Sequence, residues 1–387
     1  MRILGMISGT SHDGIDACLV RFSHSGDTLS GVIEYTSSTP YPDALRQRLV
    51  AALPPAETTF EEVCQLDTLI GQTFAEAAAT ALIDCDDIDL IVSHGQTVFH
   101  WVEGGHALGT LQIGQPAWIA ERTGVQVLSD VRIRDITAGG HGAPLVSYLD
   151  ALLLAGHRGR VALLNLGGIA NATIIDDGGE PVAYDIGPAN SLIDAVVSSR
   201  RLNDLGYDEG GQIAASGGVI ESLLERLLAD RYYARPAPKS TGKEHFNAAY
   251  VDEAVRALDL RVEPIDLVAT MTELTVRVVA RDLAAREVDL LVVSGGGSHN
   301  PLLMDGLRRA LPGVKLSSTE EYGAPSDYKE AIAFALIGWC TAHGLPGTVR
   351  GGTGAREPRV LGTLTPGALG FSLPADSPPV PRFLHLS

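Results

Sequence analysis

Two apolar runs, Arg2-Ile3-Leu4-Gly5-Met6-Ile7 and Ile15-Asp16-Ala17-Cys18-Leu19-Val20, flank a short stretch of glycines, hydroxyls and carboxylates. Runs of this kind read as strands, so the spacing predicts a β-hairpin with an unusually small, polar tip. The pattern returns at 161–175, where Val161-Ala162-Leu163-Leu164-Asn165-Leu166 and Ile169-Ala170-Asn171-Ala172-Thr173-Ile174-Ile175 flank Gly167-Gly168. A second echo links Ile88-Asp89-Leu90-Ile91-Val92-Ser93-His94-Gly95 with Val288-Asp289-Leu290-Leu291-Val292-Val293-Ser294-Gly295-Gly296. Each reads as a buried strand that follows a helix and ends in a Ser and Gly loop. Thr59-Phe60-Glu61-Glu62 has the form of a capping box and predicts a helix running to about Ile83. Helical periodicity also covers 219–230 and 266–287. Two copies of one α/β unit, facing each other, account for these paired features.

Composition narrows the class. A chain of 387 residues is long enough for about two domains. Its mean hydropathy of +0.13 describes a well-packed globule. No apolar run approaches the roughly 18 residues needed to span a bilayer. Met1 opens directly into a strand, so no secretory signal is expected. Cys18, Cys64, Cys85 and Cys340 lack CxxC or CxH spacing, which argues against a zinc site or disulfide framework and suits a reducing cytoplasm. A net charge of −18 argues against nucleic acid or an anionic membrane as partner. A phosphate ligand would have to be held by backbone amides and a metal ion, against the overall field.

The glycine tips suit that task. Glycines admit a close backbone approach to phosphate oxygens, and turn amides form an anion nest. Ser8, Thr10 and Ser11 add neutral donors, and Asp13 or Asp16 could orient Mg2+ directly or through water. The chain lacks a Walker loop, since Ser240-Thr241-Gly242-Lys243-Glu244 has no glycine at the required earlier spacing and no hydroxyl after Lys243. A Rossmann GxGxxG after the first strand and the protein-kinase signatures are also missing. Ser11-His12-Asp13 has the letters of a hydrolase triad, but adjacent residues cannot converge as a triad must. His94, His100 and His106 fit no metal-ligand spacing and read as loop histidines that contact a ligand or solvent. The Pro-rich stretch 374–381 reads as a surface or loose tail.

Several motifs in fixed order carry a resemblance: Met6-Ile7-Ser8-Gly9-Thr10-Ser11 with Asp13-Gly14-Ile15-Asp16, then Ser93-His94-Gly95-Gln96-Thr97-Val98, and Asp130-Val131-Arg132. They continue through Gly142-Ala143-Pro144-Leu145-Val146, Asn165-Leu166-Gly167-Gly168-Ile169-Ala170-Asn171, 238–244 with Phe246-Asn247, and Ser294-Gly295-Gly296-Gly297 with Asn300. Over nearly its whole length the sequence resembles the anhydro-N-acetylmuramic acid kinases. These belong to the superfamily of acetate kinases, sugar kinases, heat-shock ATPases and actin. The resemblance implies an α/β fold of two facing actin-like ATPase domains, internally duplicated, with the active site in the interdomain cleft. The expected division is 1–138 and 139–387, with the final segment able to pack back on the first domain.

The resemblance also implies roles. Gly9, Thr10, Ser11, His12, Asp13, Gly14, Ile15 and Asp16 match the ATP-phosphate hairpin, and Gly167 and Gly168 the second one. Gly295, Gly296, Gly297 and Asn300 match the adenosine loop. Asp185 falls on the family's catalytic aspartate, while His94, Arg132 and Glu330 match the sugar site. ATP and Mg2+ are the implied cofactors and a homodimer the implied assembly. Members convert 1,6-anhydro-N-acetylmuramic acid, a cell-wall turnover product, into N-acetylmuramic acid 6-phosphate. The chain departs from the family pattern at Val131, His141, Ile186 and Ala189; losing a hydroxyl at 186 is expected to remove a hydrogen bond to substrate or water. A kinase of another anhydro sugar, such as levoglucosan, and a nucleotide-gated interaction protein are the alternative readings.

Overall fold

The computed structural model describes residues 1–387 except Thr10, Asp86, Asp177, Gly178, Glu180, Pro238 and Glu244, together with the side chain of Arg350. The chain forms two compact units, Met1–Gly156 with Tyr322–Ser387, and His157–Glu321. The first unit therefore continues past the expected boundary at 138, and the last 66 residues belong to it. The physical reason lies in strand pairing and helix packing that the local sequence does not show.

In the first unit the strands are β1 (Arg2–Ser8), β2 (Gly14–Ser25), β3 (Thr28–Pro40), β4 (Leu90–Glu103), β5 (His106–Ile113) and β6 (Val127–Ser129). The second unit supplies β7 (Val161–Leu166), β8 (Ile169–Ile175), β9 (Val182–Pro188), β10 (Leu290–Ser294) and β11 (Lys315–Ser318). Two late strands, β12 (Thr363–Thr365) and β13 (Phe383–Leu386), return to the first sheet, β12 against β6 and β13 parallel to β3. The tail is thus ordered: Asp376 accepts from His24 at 3.0 Å before β13 joins the sheet edge.

The duplication read from the sequence is present in the topology. The first sheet orders its strands β6-β4-β1-β2-β3 and the second β11-β10-β7-β8-β9. In both, the opening hairpin is antiparallel and the later two strands run parallel to its first strand. One difference is that β4 does not end in a loop at Ser93-His94-Gly95. It bends there, with Gly95 at φ 72°, and continues into a hairpin with β5. His94 and His100 therefore lie on β4 and His106 on β5, not in loops.

Alternation sets the core. On β1, Ile3 and Ile7 face one apolar cluster while Leu4 and Met6 face another, as a central strand buried on both faces requires. The first cluster includes the helix Lys329–Ala342, the second the helix Phe60–Asp84. Thr59 caps the latter by accepting from the Glu62 amide at 3.1 Å. The reciprocal half of the capping box is replaced, because the Glu62 carboxylate is paired with Arg48. The helix Lys329–Ala342 approaches the sheet unusually closely: a Cβ on Gly5 would lie 2.0 Å from the Ala331 carbonyl oxygen, and one on Gly338 2.4 Å from Val92. Glycine is required at both places by space. In the second unit, the predicted helices run Glu221–Leu228 and Pro264–Ala284. The longer one packs its Val268, Met271, Leu274, Val278 and Val279 into the core beneath β7–β10.

Candidate active site

In the first unit, the tip between β1 and β2 is braced by one glutamine. Gln96, fully buried, lies with its Oε1 2.7 Å from Ser8 Oγ, and its Nε2 donates to the Gly9 and Thr97 carbonyls at 3.1 Å each. Ser8 Oγ also lies 2.6 Å from the Gly14 carbonyl, so both ends of the tip meet on this side chain. Gly9 does not have a positive φ, and a Cβ there would meet only Ser11 Oγ at 3.8 Å. The left-handed residue is instead His12, at φ 56°. Ser11 Oγ donates to Asp13 at 2.7 Å and Ser38 Oγ to Asp16 at 2.6 Å. Burial pushes the Asp16 carboxyl upward, Ser38 opposes this, and Asp13 and Asp327 add to it. Ile15 is a core residue, exposed 1%, that anchors β2 under the tip. Thr10, expected among the phosphate donors, lies outside the described residues.

The same unit joins His94, Arg132 and Glu330 electrostatically. His94 Nδ1 lies 2.9 Å from the Gly95 carbonyl, and Arg132 Nε donates to His94 Nε2 at 2.7 Å. Those partners assign the neutral tautomer with the proton on Nδ1. Burial, reinforced by Arg132, pushes the His94 imidazole well below its ordinary range, and Phe334 covers its ring at 4.8 Å. Arg132 also donates to the Gly142 carbonyl at 2.6 Å. Glu330, in the first turn of Lys329–Ala342, opens to solvent although protein crowds it. That crowding raises its carboxyl, while Arg132 and then Lys329 hold it down. Its neighbour Lys329 is buried against Asp150 at 2.7 Å. Asp135, exposed 1%, fixes the loop that Arg132 contacts: it accepts from the Gly142 amide at 2.8 Å and from Thr353 at 2.7 Å. Sequence reasoning missed Asp135 and the bracing role of Gln96, whose partners lie far along the chain.

In the second unit the tip Gly167-Gly168 is fixed by the start of the helix Asn190–Ser199. The Gly167 carbonyl accepts from Asn190 N at 3.0 Å, and Gly168 from Ala189 N at 3.0 Å and Ser191 N at 2.9 Å. The Gly295–Gly297 loop lies against the end of β7. A Cβ on Gly295, at φ 84°, would fall 2.4 Å from Asn165 Oδ1, and one on Gly297 2.7 Å from Leu166 Cβ. Gly296 faces open space. The structure thus brings the second hairpin and the glycine loop together within one unit. Asn300 Oδ1 is committed to capping the helix Pro301–Ala310, accepting from Leu302 N at 3.0 Å.

Asp185 lies at the middle of β9, held by the segment from Lys239 to Thr241. Its amide donates to the Lys239 carbonyl at 2.9 Å. Its Oδ2 accepts from Ser240 Oγ and from the Thr241 amide, both at 2.9 Å. The departure at 186 does not have the expected consequence: Ile186 is exposed 1% and belongs to the apolar core, so a hydroxyl at this position would not face a ligand. Ala189 has a negative φ of −120°, so this position does not call for glycine through a left-handed backbone. Val131 is buried at 1%, and the His141 amide donates to the Thr353 carbonyl at 2.9 Å.

Comparison with known proteins joins these parts to one family. The family model described as anhydro-N-acetylmuramic acid kinase matches residues 1–367. The chain is 49% identical over 388 residues to the anhydro-N-acetylmuramic acid kinase of Streptomyces coelicolor, covering 100% of this chain and 99% of that one. It is 48% identical over 395 residues to that of Rhodococcus erythropolis, with the same coverage. Among solved structures, component A of the (R)-2-hydroxyglutaryl-CoA dehydratase of Acidaminococcus fermentans aligns over 87% of this chain and 96% of its own, at 14% identity and a TM-score of 0.43.

Proposed function

The chain belongs to the anhydro-N-acetylmuramic acid kinase family, and from that premise we propose that it opens 1,6-anhydro-N-acetylmuramic acid with water and phosphorylates it from ATP, giving N-acetylmuramic acid 6-phosphate. The observation that carries this reading is the end-to-end similarity, 49% identity over 388 residues with 99% of the relative covered.

The chemistry explains why a carboxylate is needed. In an anhydro sugar the oxygen on the sixth carbon is tied into an acetal with the anomeric carbon, so an ordinary kinase base has no hydroxyl to deprotonate. Water must form a bond to the anomeric carbon as the bond from that carbon to the sixth-position oxygen breaks. That oxygen attacks the γ-phosphorus, the bond to the β-phosphate breaks, and ADP leaves. The proton lost by the water goes to Asp185, a carboxylate suited to general-base work on an oxocarbenium-like centre. Ser240 and the Thr241 amide hold that carboxylate from one side. His94, neutral, spends both ring nitrogens on the Gly95 carbonyl and Arg132, so its part is to hold Arg132 in place for the sugar. Arg132 and Glu330 supply opposite charges for an acidic substituent and for hydroxyls.

The Gly9–Asp16 and Gly167-Gly168 tips are the phosphate-binding elements, and Gly295–Gly297 is the nucleoside loop. Among the described residues no three or more His, Cys, Asp or Glu side chains form a metal cluster. That donor set fits Mg2+, which keeps water and phosphate ligands and needs only one or two carboxylates, here Asp13 or Asp16. When bound, Mg2+ neutralises phosphate charge. The reading also places the enzyme in the cytoplasm, where ATP is at hand, as a homodimer; the family resemblance supports both. Incubation with MgATP and a panel of anhydro sugars, with product identification by mass, tests the proposal. A phosphorylated, hydrated product from the anhydro-muramic sugar alone supports it. Phosphorylation of levoglucosan in its place would move the enzyme to the other anhydro-sugar class.

A further inference from the structure

The loop from Lys239 to Lys243 makes more contacts with the proposed catalytic carboxylate than any motif reading assigns it. Its Lys239 carbonyl receives the Asp185 amide at 2.9 Å, and its Ser240 hydroxyl and Thr241 amide both donate to Asp185 Oδ2 at 2.9 Å. On the other side of the same residue, Tyr232, exposed 3%, donates its hydroxyl to the Asp185 carbonyl at 2.8 Å. Tyr232 is itself locked by an edge-on contact with Phe246 at 5.8 Å, just beyond the loop. The loop then runs on to Lys243, whose Cε lies 3.4 Å from where a Cβ on Gly168 would stand. One loop therefore touches both the base and the second glycine hairpin.

Two donors converging on one carboxylate oxygen fix the plane of the carboxylate and stabilise its charged form. The Thr241 donor is a backbone amide, which every residue but proline would supply. Ser240 supplies the donor that the sequence chooses. We propose that Ser240 is a positioning residue for the reaction: it orients Asp185 and keeps it ionised, with Tyr232 fixing the backbone on which Asp185 stands. This rests on Asp185 being the general base. Ser240 is exposed and lies in a loop, so its truncation leaves the core untouched.

The test compares wild type, Ser240→Ala, Ser240→Thr and Asp185→Asn, measuring kcat and KM for 1,6-anhydro-N-acetylmuramic acid with saturating MgATP across pH. Loss of a hydrogen bond to a charged group corresponds to a fall in kcat of about tenfold. For Ser240→Ala we expect that fall with KM little changed, and the acid limb of the kcat profile displaced upward by about one pH unit. Removing a donor to the carboxylate makes it easier to protonate, which sets the sign. Ser240→Thr keeps the hydroxyl and should restore both rate and profile. If Asp185→Asn is inactive while Ser240→Ala keeps the wild-type rate, or loses rate with its pH profile unmoved, the positioning role is overturned. If Asp185→Asn itself keeps near-wild-type turnover, the failure belongs to the general-base assignment, not to Ser240.

Discussion

Adding one methyl group to Gly5 is expected to damage the first unit more than its size suggests. Gly5 lies at the middle of β1, where the helix Lys329–Ala342 touches the strand backbone. In Gly5→Ala the new Cβ would stand 2.0 Å from the Ala331 carbonyl oxygen and 2.7 Å from the Ala335 nitrogen. Both are backbone atoms, so no side chain can rotate away. Bringing the first contact from 2.0 Å even to 3.0 Å moves the helix by an ångström or bends β1 by as much. Either response loosens the layer around Ile3, Ile332, Phe334 and Trp339. Overpacking costs about 1–3 kcal/mol and occasionally more; with two backbone clashes we expect about 3 kcal/mol. The assay is built into the chain, because all three tryptophans, Trp101, Trp118 and Trp339, belong to the first unit. Urea unfolding followed by their fluorescence therefore reports that unit, and the midpoint for Gly5→Ala should fall by about 1 M for an m-value of about 3 kcal/mol/M. Gly9→Ala, whose Cβ meets only Ser11 Oγ at 3.8 Å, should leave the same midpoint within experimental scatter. Since Glu330 rides on the displaced helix, surviving Gly5→Ala enzyme should also show a raised KM for the sugar. A mutant that melts with wild type and binds sugar normally would refute the close approach.

Three further outcomes are expected. Gly9→Val should fold, because Gly9 has no positive φ and open surroundings, yet should lose ATP affinity by equilibrium binding; unchanged affinity would remove this tip from the phosphate site. Asp13→Ala should raise the magnesium concentration needed for half-maximal turnover, and full activity in excess chelator would contradict a metal role there. Asp194→Asn should stabilise the second unit at neutral pH, because burial pushes this carboxyl up to about 6 from a reference of 3.8, with Lys243 opposing. A raised folded pKa means the folded form holds the extra proton, so stability is lost as pH rises through that window and the asparagine avoids the loss. The gain in melting temperature should be present at pH 7.5 and absent at pH 3.5; the reverse dependence would overturn the burial argument.

The parts legible in the sequence were those written by adjacent residues. Each opening hairpin announces itself because a glycine-polar tip interrupts two apolar strands, and β4 and β10 show as short buried runs after helices. β3 was missed because, half exposed and rich in serine and threonine, its 28–40 stretch alternates weakly. β13 was hidden beside a proline-rich tail, since four residues pairing with β3 across the whole chain leave no local signal. The same cause moved the boundary: nothing in 329–342 says that Ala331 and Ala335 lie against Gly5 of the first strand. The glycine tips with Asp13 and Asp16 were legible as a phosphate and metal site from the residues, and Asp185, Arg132 and Glu330 entered through the family resemblance, whereas Gln96, Asp135, Tyr232 and Ser240 act by hydrogen bonds to distant segments that only the fold assembles. Ile186 shows the opposite error, because the position next to the proposed base Asp185 on a strand points to the other face and into the core.

The central claim is that water opens the anhydro ring while the sugar's own oxygen takes the phosphoryl group. Turnover of 1,6-anhydro-N-acetylmuramic acid with MgATP in oxygen-18 water, quenched within the first turnovers and read by mass, tests it directly. Rapid reading matters because the opened sugar exchanges its anomeric oxygen through the aldehyde form. The account requires one heavy oxygen at the anomeric hydroxyl and none in the transferred phosphoryl group. Label in released inorganic phosphate without a labelled sugar phosphate, or activity confined to sugars with a free primary hydroxyl, would contradict it.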